Sequence, residues 1–222
     1  MKLLTKDNNF IGLLLGQLIL IFTMPFLPFF DEDTGKYILH AAFIGMILIT
    51  IIGNKTDSNW YKSIIILTGI EIIILILAAL LNQIFLTYIA ISLSLFFLVI
   101  SITVAFKSIF YSQVITINQL VGASCIYILL GMIGAILYSN LFFFDQNSFS
   151  GLSEKNTKLH FAEFMYYSYV TLTTLGFGDI IPLSPLAKTL SFLQAIVGQL
   201  YLTIMVAGLV GKAINSRNNN AN

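Results

Sequence analysis

Long apolar stretches alternate with short polar segments along this sequence. A helix needs about 20 mainly apolar residues to cross a hydrocarbon core of ~30 Å. Lipid offers no partners to backbone N–H and C=O groups, so each stretch is expected to be a helix rather than a strand. The pattern predicts six spans, at Phe10–Phe30, Tyr37–Gly53, Ser63–Leu81, Ile84–Phe106, Gln119–Phe144 and Leu186–Ile214.

A shorter apolar and aromatic segment, Phe161–Thr173, lies in the long interval between the last two spans. As a helix it would be ~20 Å long, which is too short to cross a membrane. Glu163 stands in its first turn, where the helix dipole favours an acid. The segment is therefore predicted to be re-entrant, entering the membrane and returning. Irregular backbone at that depth is tolerated where it lines a water-filled cavity or is buried in protein.

Composition agrees with a membrane location. Of the 222 residues, 58% are hydrophobic and only 9% are charged, whereas soluble domains are about half apolar and about a quarter charged. A net charge of +1 offers no basic surface for nucleic acid. The single cysteine, Cys125, excludes an intrachain disulfide framework. No cofactor is expected.

The basic residues indicate the orientation of the spans, because short cytoplasmic loops carry an excess of Lys and Arg. With both termini inside, the outer side carries Lys36, Lys155, Lys158 and Lys188. The cytoplasmic side then carries the larger set of Lys2, Lys6, Lys55, Lys62, Lys107, Lys212 and Arg217. The sequence thus predicts a multi-pass protein of the plasma or bacterial inner membrane with both termini in the cytoplasm.

The segment from Thr173 to Asp179, with the sequence TTLGFGD, follows the short helix directly. A pore that strips water from K⁺ must replace the hydration shell with oxygens, and consecutive backbone carbonyls can do so if they point one way. Alternating left-handed residues align carbonyls in this manner, and Gly176 and Gly178 adopt that conformation without steric cost. The Thr174 hydroxyl adds an oxygen at the inner end. Each chain supplies one oxygen per layer. An ion between two layers has ~eight ligands, so each layer needs four oxygens from four chains, which predicts a homotetramer.

Phe164–Pro182 resembles the pore helix and selectivity filter of the tetrameric potassium-channel superfamily, and Gly198–Tyr201 and Val206–Gly211 resemble the inner helix of its bacterial members. The resemblance covers about residues 161–211. It implies an all-α membrane protein with six transmembrane helices, a re-entrant pore helix and a filter loop, assembled as a homotetramer. It assigns the filter segment to Thr174, Leu175, Gly176, Phe177 and Gly178, with K⁺ held at Thr174, Leu175, Gly176 and Phe177.

The same resemblance assigns the support of the filter to Asp179, Tyr166 and Thr173. In the family the acid after the filter bonds an aromatic residue of the pore helix, and here Tyr166 either does so or simply packs. Phe177 lacks the hydroxyl that commonly ties the filter to the neighbouring pore helix, a change that bears on filter rigidity rather than on selectivity. Thr173 lies near the C-terminus of the pore helix, where the helix dipole favours a cation.

The last span is expected to line the inner cavity and form the gate. Gly198 matches the hinge glycine of the family, with a simple packing glycine as the alternative. Beyond it, residues at helical spacing face the axis or form a hydrophobic constriction. These residues are Gln199, Leu202, Val206, Leu209 and Val210.

The first four spans occupy the position of a voltage sensor but lack its charges. A sensor carries several Arg or Lys residues inside the field, and Ile84–Phe106 contains none, so steep voltage gating is not expected. Glu71, an acid inside a span, and His160, at the outer start of the pore helix, are candidate sensors. The alternatives are a hydrogen-bonded structural acid and an ordinary helix-start residue.

The expected organisation is a peripheral four-helix region at 1–106, an interfacial linker at 107–118, a pore domain at 119–215 and a disordered tail at 216–222. Within the pore domain, the pore helix is expected at 161–173, the filter at 174–178 and the inner helix at 186–214.

The expected function is passive, potassium-selective conduction without enzymatic activity, with K⁺, the lipid bilayer and copies of the same chain as partners. A non-selective monovalent cation channel and a cation transporter with a related pore loop remain alternatives.

Overall fold

The computed structural model describes residues 9–30, 34–35, 38–39, 41–46, 59–81, 83–111, 116–153 and 160–219. The chain is mostly helical and divides into two compact units, Met1–Ser101 and Ile102–Asn222.

The first unit contains the start of the chain. Helix α1 (Asn9–Thr23) continues as a 3-10 helix over Met24–Phe29. The change occurs at Pro25, whose ring removes a backbone donor and so interrupts the α-helical ladder. Helix α2 spans Asn59–Leu81, and helix α3 spans Ile84–Tyr111 and continues into the second unit. Residues 38–39 and 41–46 of the predicted second span are helical, and the rest of that span lies outside the described residues.

Three helices form the second unit: α4 (Ile117–Phe144), α5 (Phe161–Leu172) and α6 (Pro185–Asn219). A capping box starts α4, because the Thr116 hydroxyl accepts from the Gln119 N–H while the Gln119 side chain accepts from the Thr116 N–H. Such reciprocal bonds satisfy donors that have no partner inside the helix. At the start of α6, the Ser184 hydroxyl caps the helix with a single bond by accepting from the Ala187 N–H at 3.2 Å.

A two-stranded antiparallel ribbon joins the chain before α5 to the chain after the filter segment. Strand β1 (Phe149–Ser150) pairs with strand β2 (Ile181–Pro182), with Phe149 opposite Pro182. Gly151, at φ 87°, directly follows β1. It lies so close to the Asp179 carbonyl oxygen that a Cβ atom at this position would overlap it. The ribbon therefore fixes the outer end of the filter segment against the loop that leads into α5.

An aromatic core holds these elements together at the same end of the unit. Ring centroids lie 5.0 Å apart for Tyr138 and Tyr167 and 5.1 Å apart for Phe149 and Phe164, with the rings in edge-to-face geometry. Such arrangements contribute stability beyond the area that they bury. The buried members come from α4, β1, α5, the post-filter segment and α6: Tyr138, Phe149, Phe164, Tyr167, Ile180 and Ala187.

Several helices are suited to a membrane. Within the described ranges, four are long and apolar enough to cross one, by length and composition: Phe10–Leu27, Phe85–Lys107, Ile117–Phe144 and Pro185–Gly208. Helix α2 carries a shorter apolar run, Thr68–Ala78. The prediction of apolar helices is confirmed at this level, and the number of six spans stays a prediction.

The predicted disordered tail is wrong in part, whereas the interfacial linker at 107–118 stays a prediction. Helix α3 runs to Tyr111 and α4 starts at Ile117, so most described residues of that linker are helical. Helix α6 runs to Asn219, so residues 216–219 are helical rather than part of a disordered tail. Neither extension contains Pro or Gly, and a helix continues readily where nothing interrupts its hydrogen-bond ladder. Residues 112–115 and 220–222 lie outside the described ranges.

Candidate functional site

The short helix before the filter segment lies where the sequence predicts it. Helix α5 ends at Leu172, with Thr173 as its C-cap. At its start, Nδ1 of His160 lies 2.5 Å from Oε2 of Glu163, and the Ser153 N–H donates to Oε1 of Glu163 at 2.9 Å. Partial burial raises the pKa of Glu163, but these hydrogen bonds outweigh it and leave the pKa below its ordinary value. The ionised carboxylate thus lies at the positive end of the helix dipole.

The filter segment has an alternating backbone. Thr174, Gly176 and Gly178 have positive φ angles of 60°, 60° and 78°, whereas Leu175 and Phe177 between them do not. The sequence predicts this conformation at the two glycines, and the structure adds Thr174. A left-handed conformation is costly for a residue with a Cβ atom, so the ends of the segment need firm attachment.

The inner end of the segment is attached to the C-terminus of α5 and to α6. The Val170 carbonyl accepts from the N–H groups of Leu175 at 2.9 Å and Gly176 at 3.4 Å. The Thr174 hydroxyl donates to the Thr173 carbonyl at 2.6 Å and accepts from the side-chain amide of Gln199 at 3.1 Å. Gln199, which the sequence places in the gate, is therefore also bonded to the innermost filter residue.

The outer end is attached through Asp179. The Tyr166 hydroxyl donates to Oδ2 of Asp179 at 2.6 Å, and the Ile180 N–H donates to Oδ1 at 3.0 Å. The rings of Tyr166 and Phe177 stack with an interplanar angle of 5° and a centroid distance of 6.4 Å. The structure thus contains the acid–aromatic hydrogen bond that the resemblance implies. The Tyr166 hydrogen bond outweighs partial desolvation and lowers the pKa of Asp179.

All five residues of the filter segment are exposed in the single chain, including 59% of Leu175 and 65% of Phe177. A cavity of about 380 Å³ is lined by residues of α5, of the filter segment and of α6, among them Phe192. Apolar side chains of α6 are exposed as well, such as Ile204 and Val206. One chain therefore leaves the filter segment without neighbours on its open side.

Gly198 lies against the C-terminus of α5. A Cβ atom at this position would overlap the Leu172 carbonyl oxygen and press on the Leu172 side chain. Helix α6 passes through Gly198 as a continuous helix. These contacts support the packing role, and the hinge role stays a prediction. The Tyr127 hydroxyl donates to the same Leu172 carbonyl at 3.2 Å, so α4 and α6 both meet the end of α5.

The remaining gate residues lie on α6. Leu202 and Val206 are exposed, as is Gln199. Leu209 and Val210 are part of the helix, but their side chains lie outside the described set. The role of these residues in gating stays a prediction.

Glu71 belongs to the first unit. Its carboxyl group is buried, and the Ser94 hydroxyl donates to Oε1 at 2.6 Å. A hydrogen-bonded structural acid is the alternative to a sensor at Glu71, and this bond favours the structural role. His160 is held by Glu163 and by the edge-to-face ring of Phe142 at 5.1 Å. Within the described residues, no group of three or more His, Cys, Asp or Glu could hold a metal ion.

Sequence reasoning missed several residues that position α5. Ser168 and Gln194 are hydrogen-bonded to each other, and Tyr127 and Tyr138 bond to α5 and to α6 respectively. A signal existed: Ser168 and Gln194 are polar residues at membrane depth, where polar groups usually have partners. The sequence does not identify the partner, since Ser168 and Gln194 are far apart along the chain.

Comparison with known proteins extends the resemblance. Residues 114–215, which contain α4, α5, the filter segment and most of α6, match the family Ion_trans_2, described as Ion channel. The chain is 25% identical to Two-pore potassium channel 5 of Arabidopsis thaliana over an alignment of 99 residues. This alignment covers 45% of this chain and 22% of that protein. No solved structure is significantly similar to the chain.

Two further relatives are similar. Two pore potassium channel c of Oryza sativa subsp. japonica is 35% identical over 54 residues, 24% of this chain and 12% of that protein. Potassium voltage-gated channel protein shk-1 of Caenorhabditis elegans is 29% identical over 96 residues, 43% of this chain and 17% of that protein. The chain thus matches less than a quarter of the length of each relative. Together the comparisons show that part of this chain is similar to ion-channel and potassium-channel sequences.

Replacement of Gly198 by Ala should destabilise the protein. The new Cβ atom meets a backbone carbonyl that cannot move without shifting α5, and overpacking of this kind costs about 1–3 kcal/mol. The measurement is the thermal unfolding midpoint in detergent. Gly208→Ala on the same helix is the control, because a Cβ atom there meets nothing within 4 Å in the described part of the chain. Equal midpoints for the two variants would contradict the close contact at Gly198.

Replacement of Tyr166 by Phe should raise the pKa of Asp179. The pKa of Asp179 is lower in the folded protein than its ordinary value of 3.8. Ionised Asp179 therefore contributes its full stabilisation of the fold above pH 3.8, and this contribution is lost as the pH falls through the lower, folded-state pKa. Without the Tyr166 hydroxyl, this stabilisation should be smaller, because the folded-state titration of Asp179 moves to a higher pH, closer to the ordinary value. The measurement is an NMR titration of the ¹³C-labelled carboxyl groups, with Tyr127→Phe as control. An Asp179 titration that is identical in wild type and Tyr166→Phe would contradict the assignment.

Proposed function

We propose that this chain forms a potassium-selective channel that conducts K⁺ passively through a filter of backbone carbonyls. The observation that carries the proposal is the left-handed conformation of Thr174, Gly176 and Gly178 at alternate positions. It occurs in an exposed segment at the C-terminus of a short helix, inside the region that matches the ion-channel family.

The chemistry follows from this backbone. Carbonyl oxygens of Thr174, Leu175, Gly176 and Phe177, turned to one side, replace the water that a K⁺ ion loses, and the Thr174 hydroxyl adds an oxygen at the inner end. Carbonyl dipoles bind the ion without a net charge, so it can leave as readily as it enters. The C-terminus of α5 directs its dipole at the space below the filter and stabilises a waiting cation there.

The proposed assembly is a homotetramer. A single chain supplies only one oxygen per layer, and its filter segment is exposed. The apolar side chains that α6 exposes, among them Ile204 and Val206, suit contact with lipid or with neighbouring chains. Four copies around one axis would complete the ligand rings and cover part of this surface.

Gating is proposed to occur in α6 without steep voltage dependence. Gly198, Gln199, Leu202, Val206, Leu209 and Val210 would form the hinge and the hydrophobic constriction. Ile84–Phe106 contains no Lys or Arg, so it carries no basic gating charge that a membrane potential could move. Both termini are proposed to lie in the cytoplasm, and the membrane is proposed to be a plasma or bacterial inner membrane.

A non-selective monovalent cation channel is the second candidate. It is retained because the family that matches residues 114–215 is described as Ion channel, a description that names no ion. The transporter alternative is weaker, because transporters with related loops carry several loops in one chain and this chain has one.

Purified protein in planar bilayers, with K⁺ on one side and Na⁺ on the other, should give a reversal potential close to the K⁺ equilibrium potential. Gly176→Ala should reduce the permeability ratio of K⁺ to Na⁺ about tenfold or more, since a Cβ atom at φ 60° strains each of the four filter strands by ~1–2 kcal/mol. Gly69→Ala, in α2 with nothing within 4 Å of the added Cβ atom, is the control. A wild-type reversal potential near zero would reject potassium selectivity.

Phe177→Tyr should preserve the selectivity and slow the decay of current during sustained conduction. The added hydroxyl can form one hydrogen bond in each chain, and a net gain of ~1 kcal/mol per bond would slow the decay several-fold. Current decay in symmetrical K⁺ is the measurement, and Phe144→Tyr at the exposed end of α4 is the control. Identical decay in wild type and Phe177→Tyr would remove this role.

A further inference from the structure

A chain of three side-chain hydrogen bonds connects the three helices of the second unit. The Tyr138 hydroxyl of α4 donates to Oε1 of Gln194 on α6 at 2.6 Å. The Gln194 amide donates through Nε2 to Oγ of Ser168 on α5 at 2.6 Å. The Ser168 hydroxyl donates to the Gly131 carbonyl of α4 at 2.6 Å, which closes the chain. Each of the three donors has its own acceptor, so all three hydrogen bonds can form at the same time.

This polar joint, formed by Tyr138, Gln194, Ser168 and the Gly131 carbonyl, is largely buried. Ser168 is fully buried, Tyr138 is 1% exposed and Gln194 is partly buried. Buried polar groups are costly unless they are bonded, so loss of one member leaves each of its bonded neighbours with one partner fewer. A hydrogen bond between membrane helices has the further effect of fixing their relative position.

Two glycines of α4 make room for the joint. A Cβ atom at Gly134 would overlap both Nε2 of Gln194 and Oγ of Ser168, and a Cβ atom at Gly131 would overlap the ring of Tyr169. The spacing of three residues places both glycines on one face of α4. That face therefore fits α5 and the Gln194 amide closely.

The joint lies next to the carbonyl groups that hold the filter. Ser168 is followed directly by Tyr169 and Val170, whose carbonyls accept the N–H groups of Thr173 and of Leu175 and Gly176. A displacement of Ser168 along or around α5 moves these acceptors with it, because a helix is stiff over a single turn. The position of Gln194 on α6 is thereby linked to the backbone of the filter segment.

We propose that Gln194 is a positioning residue of the filter: through Ser168 it fixes α5 against α6 and so sets the spacing of the carbonyl rings. The inference rests on the proposed function and deepens it. Displacement of α6 then reaches the filter through the Gln194–Ser168 bond. Ser168 and Tyr138 share this role, Ser168 by holding α5 and Tyr138 by orienting the amide.

A double-mutant cycle tests the proposal. Gln194→Met, Ser168→Ala and the double variant are compared with wild type by the K⁺ to Na⁺ permeability ratio in bilayers and by the thermal midpoint of the assembled protein in detergent. Each single variant should lower the permeability ratio about threefold to tenfold, as expected for one interhelical bond. The double variant should lower it no further than the more severe single variant. Tyr138→Phe, which removes only a hydroxyl, tests the same joint if Gln194→Met does not assemble.

Tyr201→Phe is the matched control for a purely structural effect. The Tyr201 hydroxyl of α6 donates to the Ala123 carbonyl of α4 at 2.6 Å and does not involve α5. Its loss should lower the thermal midpoint and leave the permeability ratio unchanged. Thr189→Ala, whose hydroxyl bonds only within α6 among the hydrogen bonds described for it, should change neither quantity.

The outcomes separate the two proposals. If wild type is potassium-selective but the joint variants keep its permeability ratio, or if the effects of the two substitutions add, the role of Gln194 is rejected and the proposed function stands. The role is also rejected if the ratio follows the thermal midpoint across all variants, Tyr201→Phe included. If wild type does not distinguish K⁺ from Na⁺, the proposed function is rejected, and the role of Gln194 in selectivity is rejected with it.

Discussion

Backbone carbonyls can take the place of water around an ion only if they are not already hydrogen-bonded to N–H groups of the chain. Under the proposed function, that constraint governs the second unit of this protein. In a helix or a sheet, each carbonyl faces an N–H group of the fold. The alternation of φ at Thr174, Gly176 and Gly178 prevents such pairing along the filter segment. The segment consequently gains little stability from its own hydrogen bonds and depends on the attachments at its two ends.

Those attachments explain much of the surrounding structure. At the inner end, the Val170 carbonyl and the Gln199 amide hold Leu175, Gly176 and Thr174. At the outer end, Asp179 is held by Tyr166, and the ribbon of β1 and β2 fixes the chain just beyond it. Close packing of α4, α5 and α6 supports both ends, with contacts too close for an added Cβ atom at Gly131, Gly134 and Gly198. The polar joint adds directional bonds to this packing.

The first unit has a different chemistry. Glu71, the one acid among its described residues, is buried and bonded to Ser94. A buried carboxyl group with a hydroxyl partner fixes two helices to each other, and it provides no array of charges that could follow a membrane potential. The proposal of a channel without steep voltage dependence rests on the absence of basic residues from Ile84–Phe106.

Features that depend on local chemistry were predictable from the sequence: the apolar helices, from runs of hydrophobic residues, the short α5, from its length, and the conformation of Gly176 and Gly178, from the absence of a Cβ atom. The extension of α3 to Tyr111 and of α6 to Asn219 was not predictable, because no Pro or Gly there marks a boundary. The contact of Gly198 with the Leu172 carbonyl and the bond between Ser168 and Gln194 emerge only when the helices pack. These partners lie 26 residues apart in each case. Which polar groups meet over such separations depends on how the helices pack, and packing is set by the fit of whole surfaces rather than by any local pattern.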